Sequence, residues 1–122
     1  MVGWLRIALI YTALMNLIGA VLFTPFFRGV QAWAGFPDAP DLYLWSQSSF
    51  IFGMGLTYTW MAATRTPNRL VLALACYGKA AFAATLIGCT LAGQTPVTVA
   101  LSGLPDLALS VAFGVWLYQT RC

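Results

Sequence analysis

The sequence predicts an all-α integral membrane protein, a four-helix antiparallel bundle with both termini cytoplasmic. Three observations lead there. Of 122 residues, 61% are hydrophobic and 7% charged, with a mean hydropathy of +0.82; a soluble domain carries roughly 25% charged residues, so this chain cannot coat a water-facing surface. Four stretches, 7–27, 42–63, 70–92 and 97–118, each come close to the ~20 apolar residues that cross a bilayer core at ~1.5 Å per residue. The basic residues then gather on one of the two sides those stretches define.

The elements follow in order. The first span opens after Arg6 and is too long for a signal-peptide core, with no small-x-small cleavage site before Pro25 and Arg28, so it reads as a retained helix. The connection after it carries Gly29, Gly35, Pro37 and Pro40. Its opening part, residues 26–35, reads as a short interfacial turn, because Phe26, Val30 and Trp33 recur at helical spacing. The second and third spans are joined by Thr64-Arg65-Thr66-Pro67-Asn68-Arg69, and the third and fourth by Gly93-Gln94-Thr95-Pro96. Both connections are short and rich in helix breakers, which makes their flanking helices antiparallel neighbours within a single transmembrane domain, 1–122. The fourth helix begins near Val97 or near Leu104; Pro105 and Asp106 suit a first helical turn in the second case.

Orientation rests on four cations. Arg6, Arg65, Arg69 and Arg121 fall on one side, while the other side has Arg28 offset by Asp38 and Asp41. Trp4, Trp60, Trp116 and Tyr118 near the basic face, and Trp33, Tyr43 and Trp45 near the other, make two aromatic belts. The expected location is the bacterial inner membrane, with lipid as the immediate partner.

Charge and cysteine usage exclude several chemistries. There is no His and no Glu, and Cys76, Cys89 and Cys122 form no C-x-x-C pair, so neither a haem or zinc site nor a dithiol redox centre is expected, and no cofactor is assigned. A formal charge of +3 without a basic stripe excludes nucleic acid as a partner.

Two ionisable residues lie inside spans, where insertion costs roughly 2.5–3.5 kcal/mol each. Lys79 is the one lysine, in the third span, and Asp106 is in the fourth. Counting from the middle of the turn 93–96 puts them about five residues apart in depth, or ~7–8 Å, a gap a lysine stem and helix tilt can close. Three readings stand: an intramembrane ion pair, a ligand or proton site, or no contact, with Lys79 snorkelling and Asp106 at the start of its helix.

Neutral polar groups add to this. Tyr11, Thr12 and Asn16 lie in the first span, Ser46, Gln47, Ser48, Ser49, Thr57, Tyr58 and Thr59 in the second. Helical spacing groups Gln47, Ile51, Gly55 and Tyr58 on one face, Cys76, Lys79, Ala83 and Thr90 on another, and Gly103, Asp106 and Ser110 on a third. Brought together, these faces form a polar seam that either glues helices or holds a small ligand. The candidate ligand-binding or ion-pair residues are Lys79, Asp106, Asn16, Gln47, Tyr58, Ser110, Tyr77 and Tyr11. The Gly53-Met54-Gly55 step speaks for close helix approach and for oligomerisation.

Arg6 ahead of the first helix, the Pro25-Phe26-Phe27-Arg28 exit, the Gly35-Phe36-Pro37 loop, the Gly78-Lys79 step and the Gly103-x-Pro105-Asp106 stretch together resemble the small four-helix inner-membrane proteins called DoxX-like. The resemblance implies the four-helix fold and, since some members serve as accessory subunits of membrane oxidoreductases, a role of that kind; it carries over no catalytic residue. The first functional expectation is therefore a non-enzymatic binding or accessory protein for a small hydrophobic ligand or a partner subunit. The second is an oligomeric small transporter using Lys79 and Asp106. Four-helix multidrug exporters are similar in size, but they depend on an acid in the first helix, and the first span here has none. The third is an intramembrane isomerase-type enzyme with Lys79 or Asp106 as acid or base.

The topology is checked by thiol labelling of Cys122 in intact cells. An impermeant periplasmic reagent should leave it unmodified, and modification would invert the orientation.

Overall fold

The computed structural model describes residues 1–121; Cys122, on which the labelling test depends, lies outside the described residues. Helices make up 82% of the chain, and no strand occurs among the described residues. The helices are α1 (Gly3–Leu22), α2 (Arg28–Ala34), α3 (Asp41–Thr64), α4 (Arg69–Leu91), α5 (Val97–Ser102) and α6 (Leu104–Gln119), with a 3-10 turn at Pro25–Phe27 before α2. Long apolar runs have few side chains to compete for main-chain donors and acceptors, so those groups pair within the helix.

Among the described residues, three segments are long and apolar enough to cross a membrane: α1, α4, and Val97–Gln119, which joins α5 to α6. The sequence predicts a fourth, over 42–63. The structure makes that stretch one helix of 24 residues, the longest in the protein, yet too polar to join the other three. Its hydroxyls and aromatic polar groups lower its hydropathy, and its length of about 36 Å is ample.

The chain groups into two compact units, Leu9–Arg65 and Met1–Ala8 with the chain from Thr66 onward. In the first, Asn16 Nδ2 of α1 donates to the Ile51 carbonyl of α3 at 3.2 Å, and Ser48 Oγ donates to the Ala20 carbonyl at 2.5 Å. One turn beyond Ile51, Gly55 of α3 faces α1 so closely that a Cβ there would lie 3.1 Å from Asn16 Cβ and from a Leu17 methyl. The predicted turn after α1 is present as α2. Buried Gln31 donates from Nε2 to the carbonyls of Leu22 and Thr24, both at 2.9 Å, and so caps the end of α1. Gly35 ends α2 at φ 95°, a conformation in which a Cβ would be strained. Arg28 then ties the loop together, donating to Asp38 at 2.6 Å, to the Ala39 carbonyl at 3.0 Å, and to Asp41. The Asp41 hydrogen bond leads in raising the Arg28 pKa above its ordinary value.

In the second unit Asn68 starts α4 as an N-cap, its Oδ1 accepting from Val71 N at 3.0 Å. Arg69 reaches across to the far end of α6, donating to the Leu117 carbonyl at 3.0 Å and to Thr120 Oγ1, with its guanidinium 5.6 Å from the Trp116 ring centre. The two sequence alternatives for the last helix both hold in part. A helix starts at Val97, breaks at Gly103, and restarts at Leu104 with Pro105 in the first turn. Pro105 has no N–H to continue the α5 ladder, which is why the break falls there. Gly103 rests on α4, where a Cβ would come within 3.3 Å of Ala83 Cα.

Gly53 has open space around it, unlike Gly55. Gly55→Val should lower stability by about 1–3 kcal/mol, the usual overpacking range, with Gly53→Val within about 0.5 kcal/mol of wild type. Denaturant titration of the two variants in detergent micelles checks this; equal effects would mean α1 and α3 do not pack at Gly55.

Candidate functional site

The site is the line along which α4 meets α5 and α6. Leu72, Ala75, Lys79 and Ala83 make the buried stripe of α4, at spacings of three and four that keep one face. Opposite it stand Gly103, Asp106 and Ser110. The pairing runs in antiparallel register: Cys76 with Ser110, Lys79 with Asp106, and Ala83 with Gly103.

At the centre, Lys79 Nζ donates to Asp106 Oδ1 at 2.9 Å, with the two side chains 8% and 18% exposed. The pair lies at matched depth, not about five residues apart, because Gly103 seating on Ala83 sets the register and the turn 93–96 does not divide the hairpin evenly. Asp106 also occupies the first turn of α6, where the positive end of the helix dipole favours a carboxylate. The helix break therefore creates a favourable place for the acid, and Lys79 supplies its counter-charge.

One turn along, Ser110 Oγ donates to the Cys76 carbonyl at 2.7 Å and Cys76 Sγ donates to the Ser110 carbonyl at 3.3 Å. At the turn end of the hairpin, Thr90 Oγ1 lies 3.0 Å from the Leu86 carbonyl and 3.0 Å from Thr95 Oγ1. These hydroxyls are held by their neighbours and by main-chain carbonyls.

The other sequence candidates divide. Asn16 is half-buried with its amide on Ile51, and Tyr58 is buried. Gln47 is exposed, so its expected inward place is corrected: the buried stripe of α3 keeps Gly55 and Tyr58 but begins with Leu44 and Ser48 in place of Gln47. Ser48 is the smaller group and reaches a carbonyl of α1, while Gln47 stands about 9 Å from the start of α3 by helical rise, near enough to an end to stay solvated. Tyr77 is 73% exposed and Tyr11 is exposed as well, so neither joins the site. Two residues along a helix is about 200° of rotation, which turns Tyr77 away when Lys79 faces inward.

Gln31 and Ser48 are working groups outside the set of sequence candidates. For Gln31 the signal was its place opposite the Phe26, Val30 and Trp33 face. For Ser48 none existed, since its partner is a main-chain carbonyl. Thr12 Oγ1 is fully buried and has no hydrogen-bond partner among the described residues. No group of three or more His, Cys, Asp or Glu comes together among the described residues.

Comparison of the chain with protein-family models, with curated proteins and with solved structures gave no match.

A buried pair that loses one partner leaves an uncompensated charge, a change that typically costs about 3–5 kcal/mol. Lys79→Met and Asp106→Leu should each lower stability strongly, and the double variant should lose much less than the sum of the two. A double-mutant cycle read by thermal unfolding in detergent measures the coupling; strictly additive losses would mean the two charges do not support one another.

Proposed function

We propose that the chain is a multi-pass protein of the bacterial inner membrane, of the non-enzymatic accessory or binding kind, with four crossing helices and both termini cytoplasmic. What carries the reading is how the polar side chains of the site are used. Lys79 is closed on Asp106, Ser110 and Cys76 on each other's carbonyls, and Asn16 and Ser48 on carbonyls of the neighbouring helix. Groups spent this way fasten helices together, and a catalytic acid or base instead needs a lone pair or proton aimed at a substrate. The resemblance of the sequence to DoxX-like proteins agrees with an accessory role.

α3 serves as the fourth crossing helix in this reading. Ser46, Thr57, Thr59 and Thr64 donate to the carbonyls of Leu42, Gly53, Gly55 and Trp60, each four residues back, at 2.6–3.0 Å. A hydropathy index scores these hydroxyls as polar, but their donors are already satisfied within the helix and meet lipid at little cost. The orientation draws support from Arg69, whose bonds to Leu117 and Thr120 put it at the same end of its unit as Arg121. The small hydrophobic ligand or partner subunit of such a protein meets the chain through its exposed apolar surface.

One observation favours a transporter as the second reading. The break at Gly103 interrupts an apolar crossing segment beside an ion pair, and discontinuous helices of this kind line substrate and ion sites in transporters.

The two readings part in proteoliposomes. Under a pH gradient, wild type and the Lys79→Met/Asp106→Leu variant should be equally tight to protons and to a lipophilic cation. Purification in native-lipid nanodiscs should meanwhile retain a hydrophobic small molecule or a second subunit at fixed stoichiometry by native mass spectrometry. Flux in the wild type that the double variant abolishes would transfer the assignment to the transporter.

A further inference from the structure

We infer that the aromatic face of the segment Pro25–Ala34 is an anchor in the membrane interface that works without anionic lipid. The inference rests on the reading of α1 as a membrane-crossing helix. Phe26, in the 3-10 turn before α2, is 82% exposed, and on α2 Trp33 is 86% exposed with half-exposed Val30 one turn before it. Phe26 meets Trp45 of α3 edge to face at 5.6 Å, and Trp45 is itself exposed, so the aromatic surface continues onto the next helix.

The position of this surface selects its occupant. It begins three residues beyond the end of α1, at the point where a helix crossing the apolar core emerges into the headgroup layer. Gln31 holds α2 there by its bonds to the carbonyls of Leu22, the last residue of α1, and of Thr24 just beyond it, turning the polar side of α2 inward and the aromatic side out. Large aromatic rings favour that layer because one part of the ring system can sit among acyl chains while the indole N–H meets water or ester oxygens.

Charge then decides which lipid. Interfacial helices usually carry Lys and Arg on the polar face and draw on anionic headgroups. Here the one cation of the segment, Arg28, is spent on Asp38, Asp41 and the Ala39 carbonyl. The stretch 25–41 carries one positive and two negative charges, so it has no net attraction for an anionic surface. The rings must hold the interface by burial alone, and a zwitterionic bilayer serves them as well as an anionic one.

Fluorescence quenching tests this in the full chain. A bimane is placed by Trp33→Cys, and as a depth control by Ile18→Cys on the exposed side of α1, in a background of Cys76→Ala, Cys89→Ala and Cys122→Ala. If that background fails to fold, the difference in tryptophan quenching between wild type and Trp33→Phe replaces the position-33 reporter. The vesicles are phosphatidylcholine alone, or with one third phosphatidylglycerol, and carry nitroxides at headgroup or mid-chain depth. The expected result is that position 33 is quenched by the headgroup nitroxide, position 18 by the mid-chain nitroxide, and each within twofold in the two lipids. A position-33 reporter reached only by aqueous iodide while position 18 stays deep would overturn the anchor and leave the crossing helix standing. Both positions in water would overturn the crossing helix, and the anchor with it. Threefold dependence on phosphatidylglycerol in the otherwise unaltered chain would overturn the charge argument.

Discussion

A charge inside an apolar helix must find its opposite within the same molecule, and the arrangement of the C-terminal half follows from that demand. Lys79 is the only lysine of the chain, and its place on the buried stripe of α4 leaves Asp106 as the group that meets it. For the carboxylate to be there, the helix carrying it needs a start near that depth. Gly103 and Pro105 supply one, the first by resting on Ala83 and the second by ending the α5 ladder. The dipole of the restarted helix adds to the stabilisation of Asp106. Ion pair, helix break and close backbone approach are thus parts of one solution, and the Cys76–Ser110 exchange extends the same register by a turn.

The N-terminal unit solves the same problem without charge. Asn16, Gln31 and Ser48 all donate to main-chain carbonyls of another element of the unit, so each bond joins a side chain to a fixed point of a helix backbone. Such contacts are individually modest, about 0.6–2 kcal/mol in membranes, and they define position more than they add stability. Gly55 belongs with them because it allows α3 to come close enough to α1 for Asn16 to reach Ile51. In α3 the hydroxyls of Ser46, Thr57, Thr59 and Thr64 turn back on their own helix. A helix can be polar by composition and still present few free donors, and that separates the hydropathy of this element from its real cost in lipid.

The loop between α1 and α3 joins these themes to the surface. Its charges neutralise one another through Arg28, its polar side is bound to the end of α1, and what remains outside is aromatic. A segment with this distribution has little reason to extend into water, and every reason to stay at the level where the apolar helix ends.

The all-helical class was legible in the sequence because apolar run length and charge scarcity are additive, local properties that no tertiary contact needs to supply. So were the turns at 93–96 and 64–69, and the helical spacing of Phe26, Val30 and Trp33, since these depend on breakers and on the periodicity of one helix. The choice of Lys79 and Asp106 was legible for the same reason: a charge in an apolar run stands out wherever it points. What only the tertiary structure decided was rotation and register. Whether Gln47 or Ser48 joins Gly55 and Tyr58 on the inward face is a matter of helix rotation, and the Ala20 carbonyl that receives Ser48 is marked by no sequence pattern. Tyr77 and Tyr11 turned outward on the same ground. Asp106 came level with Lys79, and not several residues off, because Gly103 meets Ala83, two small residues 20 positions apart whose contact exists only once the helices pack. Composition and period are properties of one segment, whereas register is a property of two, and a main-chain carbonyl as partner leaves no trace in either sequence.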